Sequence, residues 1–379
     1  SYARDGYTKV TGFVDKGTFN KAIDKDLLKD GYVCVYNGEN NYGVAKTENC
    51  VAKVGDIYYA TLQDAIDAAQ NGATVVLVKD VDTPEVTYVI DKALTIDLNG
   101  KTVTGSGYDG VFQITDGRAK VLIKNGDVVA VEGSGSAGNY AMAVWACAAD
   151  CEVTLENLNV SQKITHTDDK QMDMIYTSGG MIIINSGSFE SGTPAWTLNC
   201  KDEAYKAGTA KIIVNGGTFK GFDPMNGETE GKGTSFVAAG VGVDYVDGKF
   251  TAKSGMIAQV VDADGKSVKA FDKLSDALAA AEAEQTVKLL KDTTENVTMA
   301  TSDLTLDLNG HTLNGGQVKG KPALTVTARV TVMDSSADQT GTIKRDDTAE
   351  NSGVSSHYVI DVQGNGWLTF ESGTVKNGS

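Results

Sequence analysis

The sequence contains very little proline, histidine or arginine. There are 4 prolines and 3 histidines among 379 residues, and the arginines are Arg4, Arg118, Arg329 and Arg345. No apolar run is long enough to span a bilayer. Arginine is the usual clamp for phosphates and carboxylates, and the net charge is −16. Both properties argue against a phosphate-backbone partner and against an anionic membrane surface. We therefore expect no nucleic acid partner and no membrane contact.

Cysteine is sparse, and its number is odd, so at least one thiol has no intrachain disulfide partner. Cys34 and Cys50 lie in segments that can be neighbours in a hairpin, which makes a disulfide between them compatible with the sequence. Cys147 and Cys151 have the spacing of a metal-binding pair, but no second Cys or His pair lies nearby. Small buried cysteines are common. We expect no metal site and no other cofactor.

Glycine, in contrast, is abundant, with 43 residues. Combined with many Thr, Val and Asn residues, this composition is typical of an all-β protein with numerous tight turns. The hydrophobic fraction of 41% is sufficient for a packed core.

Internal repeats are visible in the sequence. Residues 61–69 (TLQDAIDAA) return as 273–281 (KLSDALAAA), and residues 94–103 (LTIDLNGKTV) return as 304–313 (LTLDLNGHTL). Self-similarity at a fixed period indicates a repeat architecture. A closing motif that begins with Gly-Thr-Phe also occurs twice. We therefore expect a section of a tandem array, with the end of one repeat at 1–50, a complete repeat at 51–255 and the start of a truncated one at 256–379.

Each repeat is expected to begin with a hairpin and a short capping helix. Thr61 is a suitable N-cap with Asp64 three residues later, and Asn71-Gly72 supplies a stop. Aliphatic strands that end in asparagine follow. Asparagine tolerates positive φ and can stack at a corner. The expected corners are Asn99, Asn125, Asn157, Asn185 and Asn215. Because the corners recur at one coil length, they predict a right-handed parallel β-helix in tandem rather than an antiparallel sandwich.

The segment LQDAI at 62–66, followed by GATVVLV at 72–78, is similar to the N-terminal segment of pectate-lyase-like β-helix proteins. The LTIDLNG corner and the closing GGTF motif resemble repeat domains of large surface proteins from gut Firmicutes, and some phage fibres. This resemblance implies a β-helix domain of an extracellular protein, cell-surface or secreted, with polysaccharide-active enzymes as an alternative.

Catalytic motifs are weak in this sequence. Asp168-Asp169 is the best candidate for a carboxylate pair of a glycoside hydrolase, but it lies in a polar run typical of a solvated loop. His311 stands where Lys101 stands in the first copy, which indicates a surface turn. Asp262-Ala263-Asp264-Gly265-Lys266 lacks the later ligands of a calcium loop and predicts a hairpin turn.

Long segments between corners are where solenoids build recognition surfaces. Trp145 is interpreted first as a core residue, with ligand contact as the alternative. Exposed aromatic side chains suit carbohydrate stacking or protein contacts. The sequence therefore predicts a non-enzymatic adhesin or stalk that binds a host or microbial glycan or protein; a β-helix lyase or hydrolase and a phage receptor-binding fibre are the alternatives. Its candidate ligand-binding residues are Tyr140, Trp145, Asp168, Asp169, Tyr176, Trp196 and Tyr205.

Overall fold

A computed structural model describes residues 10–39, 41–106, 109–133, 140–165, 172–318, 320–346 and 358–377. Strands make up 45% of it and helices 8%, which confirms the all-β class. The chain divides into two compact units, residues 1–212 and 213–379. The division lies inside the predicted complete repeat 51–255, and the three repeat ranges stay predictions.

The described residues of unit 1 form strands, two small α-helices and 3-10 turns at 25–27, 47–49 and 194–196. The α-helices are α1 (Leu62–Ala68) and α2 (Asp202–Lys206). The strands are β1 (Thr18–Phe19), β2 (Tyr32–Tyr36), β3 (Tyr42–Lys46), β4 (Ala52–Val54), β5 (Ile57–Tyr59), β6 (Ala73–Leu77), β7 (Val81–Asp82), β8 (Tyr88–Ile90), β9 (Leu94–Asp97), β10 (Thr102–Ser106), β11 (Phe112–Ile114), β12 (Lys120–Val131), β13 (Val144–Ala146), β14 (Glu152–Lys163), β15 (Ile175–Thr177), β16 (Met181–Ile184), β17 (Gly187–Glu190) and β18 (Leu198–Cys200). Strand β19 (Lys211–Val214) contains the boundary between the units.

Three parallel ladders follow α1 in unit 1. The first joins β6, β9, β12, β14 and β16; the second joins β7, β10, β12, β14 and β17; the third joins β8, β11, β13, β15 and β18. In each ladder the strands pair in parallel with strands later in the chain, and most of these strands bury alternate apolar side chains. Antiparallel pairing occurs at the start of the unit, in the hairpins β2–β3 and β4–β5.

The predicted asparagine corners are confirmed at three positions, where φ is positive: Asn99 (51°), Asn125 (61°) and Asn157 (51°). Asn309, at the equivalent position of the second copy, also has a positive φ (47°). Asn157 Nδ2 donates to Asn125 Oδ1 (3.1 Å), so these two corners stack through their side chains. At the predicted corners Asn185 and Asn215 the positive φ lies two residues later, at glycine (Gly187 and Gly217). The sequence places those two corners correctly along the chain but assigns the left-handed residue incorrectly.

Helix α1 forms as predicted. The Thr61 side chain accepts a hydrogen bond from the Asp64 amide (3.1 Å) and caps the helix. Leu62, Ala65 and Ile66 are buried on its inner face, where they cover one end of the core.

Unit 2 is built in the same order. It contains β20 (Gly217–Lys220), β21 (Val241–Val246), β22 (Lys249–Ser254), β23 (Ala258–Val261), β24 (Ser267–Phe271), α3 (Leu274–Ala280), β25 (Thr286–Leu289), β26 (Thr293–Thr294), β27 (Val297–Met299), β28 (Leu304–Asp307), β29 (Thr312–Asn314), β30 (Leu324–Val326), β31 (Arg329–Met333), β32 (Thr342–Arg345), β33 (Ile360–Val362), β34 (Trp367–Phe370) and β35 (Thr374–Asn377).

Unit 2 also has three parallel ladders: β25–β28–β31–β34, β26–β29–β32–β35 and β27–β30–β33. The closing motifs of the two units share one arrangement. In each, the Gly-Thr-Phe strand pairs antiparallel with the second strand of a hairpin, β1 with β3 and β20 with β22. The predicted hairpin at 262–266 is confirmed, since β23 and β24 pair antiparallel around it.

The two cysteines considered for a disulfide are free thiols. Cys34 lies opposite Val44 in the β2–β3 hairpin, and its sulfur accepts a hydrogen bond from the Ile23 amide (3.4 Å). Cys50 follows the 3-10 turn after β3, and its thiol donates to the Lys46 carbonyl (3.8 Å). Burial raises the pKa of Cys50. The hairpin register, which was not evident from the sequence, gives Cys34 a different cross-strand neighbour.

Helix α3 is capped differently from α1, because Lys273 takes the place of Thr61 and makes no side-chain cap. The Glu295 carboxylate, in the segment between β26 and β27, accepts hydrogen bonds from the amides of Leu274 (2.8 Å) and Ser275 (3.0 Å) and caps the helix. Burial alone would raise the pKa of Glu295, but the hydrogen bonds from Ser275, Leu274 and Thr293 outweigh burial, and the pKa lies below its ordinary value.

We expect Glu295→Gln to lower the free energy of unfolding at neutral pH by about 1 kcal/mol, as loss of an N-cap does. A carboxylate whose folded pKa is lowered stabilises the fold above its unfolded pKa, and this contribution is lost as the pH falls through the folded value. In denaturant titrations, the difference in free energy of unfolding between the variant and the original chain should therefore become smaller at pH values below the ordinary glutamate pKa range. The control is Glu282→Gln, an exposed site; an equal, pH-independent loss at both sites would contradict the capping role.

Candidate binding site

The third ladder of unit 1 presents a row of side chains on its outer face. Its strands have three residues each, and in β8, β11, β13 and β15 the flanking residues are buried while the middle residue is more exposed. In-register parallel strands lie about 4.8 Å apart, so the middle residues stack into one row. From first strand to last, the row consists of Val89, Gln113, Trp145, Tyr176 and Asn199.

Trp145 and Tyr176 are adjacent in this row, with ring centroids 6.2 Å apart and planes at 46°. Trp145 Nε1 donates to Ser178 Oγ (2.9 Å), and Ser178 Oγ donates to the Cys147 carbonyl (3.1 Å). These bonds fix the indole orientation. The interpretation of Trp145 as a core residue needs correction: its neighbours Val144 and Ala146 fill the core, and Trp145 faces a pocket.

Asp173 is the acidic residue of this pocket, and only 8% of its surface is exposed. Tyr140 Oη donates to Asp173 Oδ2 (2.7 Å), and Asn199 Nδ2 donates to Asp173 Oδ1 (2.8 Å). The Asp173 amide in turn donates to Tyr140 Oη (3.2 Å). Burial raises the pKa of Asp173 above its ordinary value, although the hydrogen bonds from Tyr140 and Asn199 oppose the shift.

Gln162 holds the two segments that carry Tyr140 and Asp173. Its buried Nε2 donates to the carbonyls of Ala141 (2.6 Å), Met172 (3.2 Å) and Asp173 (3.2 Å). Its Oε1 accepts from Ser191 Oγ (2.6 Å). The polar atoms of this side chain are therefore satisfied, and the pocket has a rigid base on the side of Asp173.

The pocket has a volume of about 350 Å³, which is within the usual range for small-ligand sites. Its described lining residues include one acidic and one basic side chain. The basic one, Lys201, is exposed and lies 4.0 Å from Glu203. The lining side chains are Tyr140, Met142, Trp145, Asp173, Tyr176, Ser178 and Lys201.

Three of the predicted ligand-binding residues thus meet in one pocket: Tyr140, Trp145 and Tyr176. Trp196 is half-buried in the 3-10 turn 194–196, and Tyr205 is half-buried on α2; neither lines the pocket. The Trp196 carbonyl accepts from the Met174 amide (3.1 Å), so its segment supports the strand beside the pocket.

The predicted pair Asp168-Asp169 lies outside the residues described. The structure adds Asp173 and Lys201 to the site, neither of which was predicted. Asp173 stands between the buried residues Met172 and Met174, and a single acid in such an apolar segment is a signal from which the site could have been predicted.

A second cavity, of about 570 Å³, lies within unit 2. Two acidic residues, Asp262 and Asp307, are among its described lining residues. Asp307 accepts hydrogen bonds from the amides of Asn309 and Ser335 (2.9 Å each) and from Ser335 Oγ (2.6 Å). His311 lines this cavity on a turn, with Nδ1 3.5 Å from Asp292 Oδ1. No aromatic ring besides the His311 imidazole is among its described lining residues, so the pocket in unit 1 is the better recognition site.

Within the parts of the chain that the structure covers, no three His, Cys, Asp or Glu residues are grouped to hold a metal ion. No helix in those parts is long and apolar enough to cross a membrane. Comparisons with family models, curated proteins and solved structures give no match to this chain.

Proposed function

We propose that this chain is a non-enzymatic repeat module of an extracellular bacterial surface protein, and that it binds a glycan or protein through the Trp145–Tyr176 pocket. The observation that carries the proposal is the pair of neighbouring aromatic rings beside a buried, fixed carboxylate. Aromatic faces bind the apolar faces of sugars and also act as anchors in protein interfaces. The ring orientation is set before binding, which reduces the ordering entropy of association.

We further propose that each unit is a right-handed parallel β-helix, similar to pectate-lyase-like repeat domains of gut Firmicutes surface proteins. Three parallel ladders per unit support this fold, and parallel crossovers are almost always right-handed. The repeated order of closing motif, hairpin, capping helix and ladders supports a tandem array. Repeats of this kind provide length as well as display surfaces.

The proposal favours a binding module over a hydrolase. A glycoside hydrolase needs two carboxyl groups on opposite sides of the scissile bond, and Asp173 is the only acid among the described residues that line the pocket. A phage fibre remains a variant of the same proposal, and trimers in solution would support it.

The direct experiment is an array of glycans and surface proteins probed with the whole chain and with Trp145→Ala. We expect a bound ligand whose affinity falls at least about ten-fold in the variant, because aromatic anchors contribute a kcal/mol or more. The matched control is Trp367→Ala in unit 2, where the indole is 66% exposed and far along the sequence from the pocket. Equal loss in both variants, or loss in neither, would refute the pocket as the binding site.

A further inference from the structure

The pocket in unit 1 combines side chains that suit a positively charged organic group. Three aromatic rings line it, from Tyr140, Trp145 and Tyr176, together with the Met142 thioether. Aromatic faces attract cations through the ring quadrupole, and such linings recognise quaternary ammonium groups. A thioether adds a polarizable apolar contact.

The carboxylate of Asp173 strengthens this preference. Both of its oxygens accept hydrogen bonds from neutral donors, Tyr140 and Asn199. Among the residues that the structure describes, no Lys, Arg or His side chain forms an ion pair with Asp173, and no cationic group contributes to the shift of its pKa. A buried charge without a counter-charge is unfavourable, and a bound cation would relieve that penalty.

The rest of the molecule is compatible with a cationic ligand. The net charge of −16 attracts cations over long range. Lys201 at the pocket is exposed and lies near Glu203. The positive charge of Lys201 repels a ligand's ammonium group. Lys201 can, however, form an ion pair with an anionic group on the same ligand.

We propose that the pocket binds an alkylammonium group, held over the rings of Trp145 and Tyr176 with its charge facing Asp173. This inference rests on the proposed function, because it specifies the charge of the ligand at the same site. A trimethylammonium group, as in choline and phosphocholine, has apolar methyl surfaces for the rings. An amino sugar offers the same charge on a primary amine, and the two sources are distinguished in the test.

The test is calorimetric titration of the whole chain with choline, phosphocholine and glucosamine. Each cation is paired with an uncharged analogue: a tert-butyl group in place of trimethylammonium for choline, and glucose for glucosamine. We expect at least one cation to bind about ten-fold or more tightly than its neutral analogue, as a desolvated cation–π contact allows. Tighter binding of phosphocholine than of choline would indicate that Lys201 pairs with the phosphate.

Trp145→Ala and Asp173→Asn should each lower the affinity for the cation about ten-fold. Trp367→Ala should leave this affinity unchanged. Tyr176→Ala provides a second test of the ring requirement if Asp173→Asn does not fold. Equal binding of the cation and its analogue would overturn the ammonium inference. The ammonium inference would also be overturned if the array shows a ligand whose binding depends on Trp145 but no cation binds in the titrations. In both cases the proposed function stands. If the array shows no Trp145-dependent ligand and no cation binds, both proposals fail.

Discussion

Replacement of Gly187 by alanine should lower the free energy of unfolding by about 3–5 kcal/mol, through backbone strain and overpacking together. Gly187 begins β17 with φ at 133° and pairs with Leu158 on the neighbouring parallel strand β14. A Cβ atom at this position would lie 2.0 Å from the Leu158 carbonyl oxygen and 3.0 Å from Leu158 C and N. These are backbone atoms of a central strand, so they cannot move without disturbing the ladder.

The matched control is Gly208→Ala, where φ is also positive (74°) but a Cβ would meet nothing within 4 Å. This variant has the backbone strain without the collision, and we expect a loss of about 1 kcal/mol. Chemical denaturation of both variants provides the comparison. A Gly187→Ala loss of stability no larger than the Gly208→Ala loss would show that the close approach of β14 and β17 is not the reason for glycine at this position.

The second large effect is expected at Gln259, which is fully buried on β23. Its Oε1 accepts from the Val243 amide (2.7 Å), and its Nε2 donates to the carbonyls of Val243 and Val260 (2.9 Å each). The side chain thereby satisfies the amide and the carbonyl of Val243 on β21. It joins the closing hairpin of one predicted repeat to the first hairpin of the next.

Gln259→Leu removes these bonds and leaves a buried amide and carbonyl unsatisfied, at about 1–3 kcal/mol for each group. The chain offers a close control in Gln63, whose side chain makes the same paired bonds to the Val89 amide and carbonyl (3.0 Å each). Val89 is 38% exposed, so water can replace the lost bonds in Gln63→Leu. We expect Gln259→Leu to destabilise by several times as much; equal losses in denaturant titrations would contradict this account.

Local signals in the sequence predicted much of the fold. The cap at Thr61, the Asp-Gly turn before Lys266 and the corners at Asn125 and Asn157 each depend on a few adjacent residues, and each is present. Residues whose partners lie far away along the chain were not predictable in this way. Glu295 caps a helix about 20 residues earlier, and Gln259 bonds a strand 16 residues earlier.

The site was predicted in part for the same reason. Composition and loop length indicated Tyr140 and Tyr176 as recognition residues, and both line the pocket. Trp145 was interpreted as core because its neighbours are apolar, and the outward direction of the middle residue depends on the strand register. Asp173 was missed because its partners Tyr140 and Asn199 lie 33 and 26 residues away along the chain.

The most direct test of the binding role is a crystal structure of the chain with the ligand that binds best in the array and titration experiments. The account predicts that the ligand lies against the Trp145 and Tyr176 rings, within hydrogen-bond or ion-pair distance of Asp173. A ligand bound elsewhere, with this pocket occupied only by water, would contradict it.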